Sequence, residues 1–119
     1  MFKTDLPGTY TITGTNQDEQ SSPYTGTLEL ALDQHNRIIA NWQIGDFQTQ
    51  SGTGFFQDNV LVINFNYKGN DEETYEGVVV YKCITKDVLE GFWSEDQGNP
   101  MYLGSELCFR VDSQKEAVN

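Results

Sequence analysis

The run Val60-Leu61-Val62-Ile63-Asn64-Phe65-Asn66-Tyr67-Lys68, the turn Gly69-Asn70-Asp71, and the run Thr74-Tyr75-Glu76-Gly77-Val78-Val79-Val80-Tyr81-Lys82-Cys83-Ile84-Thr85 decide the fold. In the first run Leu61, Ile63, Phe65 and Tyr67 share one face and Val60, Val62, Asn64 and Asn66 the other, which is the period of two that a strand imposes. In the second, Tyr75, Gly77, Val79 and Tyr81 point one way while Glu76 and Lys82 point the other. The turn at Lys68-Gly69-Asn70-Asp71 is too short for a crossover. The two strands therefore return antiparallel.

The same pattern extends outward to both ends, and no window shows a helical period. Strands are predicted over Gly8 to Thr15, Tyr24 to Leu32, Arg37 to Gly45, Phe47 to Phe56, Val60 to Lys68, Thr74 to Thr85, Val88 to Ser94 and Tyr102 to Val111. The breaks carry turn residues, including Asp33-Gln34-His35-Asn36, Gly45-Asp46, Gln57-Asp58-Asn59 and Lys86-Asp87. Only Asn16 to Pro23 and Glu95 to Pro100 read as long connections. Short connections favour neighbours in sequence as neighbours in space, so the expected fold is all-β, an eight-stranded antiparallel up-and-down meander barrel. With 119 residues one domain is expected, its barrel over about 8–111 and a short polar C-terminal tail at 112–119.

Period two also assigns an interior. Tyr24, Gly26, Leu28, Leu30 and Leu32 point inward on the second strand, Ile38, Ala40, Trp42 and Ile44 on the third, and Leu89, Gly91 and Trp93 on the seventh. The eighth stays open, because Leu103, Leu107 and Phe109 compete with Gly104, Glu106 and Cys108 for the inner face. Aromatic or leucine residues recur two places from a glycine, as in Tyr24-Thr25-Gly26, Tyr75-Glu76-Gly77 and Gly91-Phe92-Trp93. In a tightly curved sheet a glycine on the concave side relieves crowding, and an aromatic covers the gap.

Composition excludes several function classes. Seven basic and eighteen acidic residues give a net charge of −11, which repels nucleic-acid phosphates and anionic membrane surfaces. Met1 to Tyr10 has no apolar leader core and no stretch is long enough to span a bilayer. A cytoplasmic protein is expected. Cys83 and Cys108 fall on strands separated by a third, roughly 10 Å apart and beyond disulfide reach, so both are expected as free thiols. The single histidine, His35, falls in a turn without a nucleophile motif, and no catalytic residue is assigned. One histidine and two distant cysteines do not make a zinc site. The acidic groups Asp71-Glu72-Glu73 with Glu76, and Glu95-Asp96 near Gly98, lack the alternate spacing of a calcium loop. No metal or cofactor is expected.

The predicted interior carries Tyr10, Tyr24, Trp42, Phe65, Tyr67, Tyr75, Tyr81 and Trp93. Buried tyrosine hydroxyls need partners, so this many inside an eight-stranded barrel points to a lined cavity as readily as to a filled core. Ligand-binding candidates are Tyr24, Trp42, Tyr75, Tyr81, Trp93 and Glu106. Glu106 either faces that cavity, accepting hydrogen bonds or moving a proton if desolvated, or pairs with Arg110 or Lys82. Val60, Val62, Val78, Val80 and Ile84 face outward on adjacent strands and offer a surface for a homo-oligomer.

With Gly8-Thr9-Tyr10 at the start, Tyr24-Thr25-Gly26-Thr27 on the second strand and Gly91-Phe92-Trp93 near the end, the chain resembles the calycin group, and within it the avidin and streptavidin type of small barrel. The resemblance spans about Gly8 to Val111 and implies an open-mouthed barrel with aromatic walls that is often oligomeric. Biotin is not implied, since the late tryptophan-bearing strands of avidins have no counterpart here. Three functions are compatible with these features. The first is a non-enzymatic barrel that binds a small apolar or aromatic molecule. The second is a filled barrel acting as a protein-interaction module through exposed Phe47, Phe55 or Phe92. The third is an isomerase, cyclase or lyase using Glu106 and a tyrosine as acid and base.

Overall fold

A computed structural model describes residues 1–111; the expected polar tail at 112–119 lies outside the described residues. Eight strands run in chain order: β1 (Gly8–Thr15), β2 (Pro23–Leu32), β3 (Ile38–Ile44), β4 (Gln48–Gln57), β5 (Val60–Lys68), β6 (Thr74–Thr85), β7 (Val88–Glu95) and β8 (Gly104–Arg110). Each pairs antiparallel with its sequence neighbour, and β1 pairs with β8 to close the barrel. The fold is the meander barrel that the alternation predicts. At the β4–β5 turn Asp58 and Asn59 both take positive φ, 51° and 62°, the mirror-image turn whose twist suits a two-residue hairpin.

Strand eight departs most from hydrophobic expectation. Gly104, Glu106 and Cys108 point inward and are buried, whereas Leu103, Leu107 and Phe109 stand exposed outside. Closure against β1 explains this choice: Glu106 lies opposite Gly14 and Cys108 opposite Ile12, and a one-residue slip would turn all the inner residues of β8 outward. The eighth strand also begins later than expected, because Tyr102 and Leu103 belong to the β7–β8 loop. There the Gln17 side-chain amide donates to the carbonyl oxygens of Asn99 and Tyr102 and to the Ser94 hydroxyl. This glutamine ties the two long loops together at one end of the barrel.

The opposite end is plugged by a feature without a sequence signature. A 3-10 turn over Lys3–Asp5 delivers Leu6, 1% exposed, into the core beside Tyr10, Ile12, Leu28 and Leu30. Arg110 fastens it. Its guanidinium donates to the carbonyl oxygens of Asp5, Pro7 and Lys86 and to the Tyr10 hydroxyl, and lies 4.7 Å from the centre of the Tyr10 ring. Those bonds commit Arg110 away from Glu106, and Lys82 is exposed on the outer face. Neither of the ion pairs considered for Glu106 forms. Cys83 and Cys108 are buried free thiols.

On the outside, Phe55, Val62, Val80 and Phe92 form one continuous row across β4, β5, β6 and β7. Phe55 and Phe92 are 59% and 50% exposed. Val60 and Ile84 are exposed as well, whereas Val62, Val78 and Val80 are half-buried. Among the described residues no helix is long and apolar enough to cross a membrane.

Candidate functional site

One half of the barrel is solid and the other is not. Leucine, isoleucine and alanine fill the plugged half through Leu28, Leu30, Ile38, Ala40, Leu61 and Ile63. In the half beneath the long loops the inward positions become aromatic or polar, and a cavity of about 170 Å³ remains. Phe65 stands in its wall with Trp42 and Trp93 both set edge to face against it, at centroid distances of 6.2 and 6.1 Å. Tyr67 stacks on Phe65 at 6.5 Å, toward the mouth. Asn16, Gln48, Gln50 and Glu95 add polar groups to the lining, and Glu106 adds a carboxylate.

The register explains how Glu106 is held. One row around the barrel reads Tyr24, Gly14, Glu106, Gly91, Tyr81 on β2, β1, β8, β7 and β6. Each glycine lies beneath the ring of the adjacent tyrosine: a side-chain carbon at Gly14 would strike the Tyr24 ring, and one at Gly91 would strike Tyr81. The rings therefore lean across the empty positions from both sides. Their hydroxyls meet at Glu106, with Tyr24 donating to Oε2 at 2.6 Å and Tyr81 donating to Oε1.

Two tryptophans complete the arrangement. Trp93 Nε1–H donates to the Tyr24 hydroxyl at 2.9 Å, and Trp42 Nε1–H donates to that of Tyr81 at 3.2 Å. An indole nitrogen can only donate, so each tyrosine hydroxyl accepts from its tryptophan and donates its own O–H to the carboxylate. The directions along both arms are thereby fixed. Burial pushes the Glu106 carboxyl above its ordinary range, with the two hydroxyls pulling in the opposite direction. Burial first, and then the Glu106 charge, drive the hydroxyl pKa values of Tyr24 and Tyr81 far upward. They act as donors and not as acids. Tyr67 repeats the motif nearer the mouth, donating to Glu95 Oε1 at 2.8 Å, and its hydroxyl is also pushed up, mainly by burial.

Of the six candidates from the sequence, Tyr24, Trp42, Tyr81, Trp93 and Glu106 line this cavity and form one hydrogen-bonded unit. Tyr75 does not line it. Its ring stacks on the far side of Tyr67 at 5.4 Å and its hydroxyl donates to Asp71 at 2.6 Å. Period two places Phe65 and Tyr67 inside but assigns them no role at the site. Gln48, Gln50, Asn16 and Glu95 went unassigned, since only the mouth geometry brings them together. The glycine and aromatic pairing is real but runs across strands: Trp93 covers Gly104, Phe65 covers Gly77, Tyr24 covers Gly14 and Tyr81 covers Gly91. Spacing along one strand points to the device without naming which aromatic covers which glycine.

No protein-family model matches the chain, and no curated protein matches it. Solved structures do match. A redesigned β-barrel superposes with a TM-score of 0.68 at 15% identity, over 92% of this chain and 95% of that one. Another redesigned barrel, mFAP0, bound to DFHBI, matches with a TM-score of 0.64 at 20% identity, over 89% of this chain and 99% of that one. A DUF3598-family protein of unknown function from Nostoc punctiforme matches with a TM-score of 0.51 at 15% identity, over 93% of this chain and 49% of that one. At these identities the likeness is one of fold: an eight-stranded antiparallel barrel.

Proposed function

We propose that the protein is a small-molecule-binding barrel whose ligand enters beneath the long loops and rests against Trp42, Phe65 and Trp93, with Glu106 as its polar anchor. The observation that carries this reading is the cavity itself, walled by aromatic faces with a few convergent polar groups, the usual composition of a ligand pocket. Its volume of about 170 Å³ suits a single ring, since a dry cavity of about 150 Å³ takes up benzene. A barrel of this architecture bound to DFHBI supports a small-molecule-binding reading. The avidin-type resemblance adds the image of an open-mouthed barrel with aromatic walls, and no biotin site. Two buried free thiols support a reducing compartment such as the cytoplasm.

The enzymatic alternative fares less well. Both Glu106 oxygens already receive a hydroxyl proton and both tyrosines are pinned by indole donors, an arrangement that orients a charge instead of relaying a proton. Self-association rests on a separate observation, the outer row of Phe55, Val62, Val80 and Phe92 with Val60 beside it. Sedimentation velocity reads that feature directly: a Val62→Lys variant turns an oligomer into monomers, and a wild-type monomer removes the idea.

Native mass spectrometry of the protein purified from its own host tests the main reading. A chain carrying the extra mass of a small molecule supports it. A bare chain whose tryptophan emission also fails to respond saturably to DFHBI or to single-ring probes would sink it.

A further inference from the structure

The cavity offers a ligand acceptors and aromatic faces, while the indole and hydroxyl donors of its walls are all spent. Both indole N–H groups are spent on Tyr81 and Tyr24, both of those hydroxyl protons are spent on Glu106, and the Tyr67 proton is spent on Glu95. The remaining side-chain donors of the lining are the amides of Asn16, Gln48 and Gln50, and one of these, Gln50 Nε2, already donates to Gln48 Oε1 at 2.9 Å. Glu106 keeps lone pairs beyond the two that the tyrosines occupy, because a carboxylate has about four acceptor positions. It is only 8% exposed.

Charge points the same way. The lining contains two carboxylates and no lysine, arginine or histidine. The three ion pairs among the described residues are Arg37–Asp33, Lys68–Glu72 and Arg110–Asp87. Glu106 therefore sits among Trp42, Trp93, Tyr24 and Tyr81 without a counter-cation. A buried carboxylate is costly in that state, and a paired one is much less so. Aromatic faces attract cations through the ring quadrupole, most strongly in a desolvated setting.

Resting on the ligand-binding reading above, we propose that the occupant is a small organic cation of single-ring size: an ammonium or protonated nitrogen heterocycle that brings its own N–H donors to Glu106. The cation supplies what the walls lack, a positive charge with N–H groups that reach Glu106, and the rings around it supply a matching surface. Anionic molecules face Glu106 and Glu95 together and are rejected. Neutral rings of the same shape gain the aromatic contact alone.

The test is calorimetric titration of the unaltered chain with two probes of matched shape, benzylammonium and benzyl alcohol, repeated on Glu106→Gln. The proposal expects benzylammonium to bind at least about tenfold tighter than the alcohol, each tenfold corresponding to 1.4 kcal/mol, and expects Glu106→Gln to shrink that preference to within about threefold. Equal binding of the two probes, or tighter binding of the alcohol, overturns the cation and leaves the small-molecule reading standing. A cation preference that survives Glu106→Gln unchanged overturns the role given to Glu106. Absence of binding by both probes and by DFHBI overturns both readings. The pair is compared on wild-type protein, so a variant that fails to fold does not protect the proposal.

Discussion

Glu106 is a carboxylate inside a barrel, held by two hydroxyls that are held in turn by two indoles. Removing one hydroxyl breaks two bonds at once, since Tyr81→Phe leaves Glu106 Oε1 without its donor and Trp42 Nε1–H without its acceptor. We expect that variant to lose about 1–3 kcal/mol of stability, read from urea denaturation. The carboxyl also makes stability depend on pH. Its folded pKa lies above the ordinary value of 4.5, so through that window the native state binds more protons than the unfolded chain. Stability attributable to Glu106 is complete below pH 4.5 and is lost as pH rises through the folded value. Asp33 and Asp71 work in the opposite sense. Backbone N–H bonds, that of Arg37 foremost, hold Asp33 low, and the Tyr75 hydroxyl holds Asp71 low. Both are present in wild type and in Glu106→Gln, so the difference between the two denaturation midpoints across pH 4 to 8 isolates Glu106. That difference should shift against wild type as pH rises, and a pH-independent difference would contradict the assignment.

At the level of strands, glycine placement builds the site. Gly14 on β1 and Gly91 on β7 flank Glu106 and let two rings lean over them from β2 and β6. A methyl group at Gly14 meets the Tyr24 ring and hydroxyl and the Ser105 carbonyl oxygen. Gly14→Ala should therefore cost about 1–3 kcal/mol through overpacking and detach Tyr24 from Glu106, with the Trp93 emission changing as its acceptor moves. The strands themselves were legible because alternation is a local property: β1, β5 and β6 end where the pattern ends. Four of the six candidate site residues, Tyr24, Trp42, Tyr81 and Trp93, were legible for the same reason, since an inward aromatic on a short barrel has few places to point; Glu106 was a candidate whose face alternation left open. Tyr75 was misplaced because period two gives a face and not a height. It sits at the mouth end of β6, opposite Tyr67, where the inner face has already opened toward Asp71. Hydrophobicity could not settle β8, because its apolar residues lie outside and closure against β1 chose the other register. The Leu6 plug and the Gln17 clamp depend on contacts between distant parts of the chain, and neither leaves a periodic trace.

For the whole molecule, one end is sealed and the other is open. Arg110 and Leu6 close the first; the clamped loops and Glu95 surround the second. The net charge of −11 sets a negative field that attracts small cations to the molecule as a whole and weakens with added salt. Its tyrosines report the integrity of the barrel as a unit. Burial raises Tyr10 to about 12, against the pull of Arg110, and raises Tyr24, Tyr67 and Tyr81 further. Their contribution to stability is whole below pH 10 and is lost as pH climbs through the folded values. Spectrophotometric titration should show tyrosinate from these four appearing above pH 10 in one step with loss of the β-sheet signal; separate titrations near pH 10 in a folded protein would contradict their burial. The central claim, a binding site against Trp42 and Trp93, is tested most directly by the two indole N–H resonances in a ¹H–¹⁵N spectrum. The chain has only these two tryptophans, and each indole proton is part of the Glu106 network. Adding benzylammonium should move both resonances together with the Glu106 and Gly91 amides, saturably and with one affinity; shifts confined to the outer row at Phe55 and Phe92, with both indoles still, would place the ligand elsewhere and contradict the account.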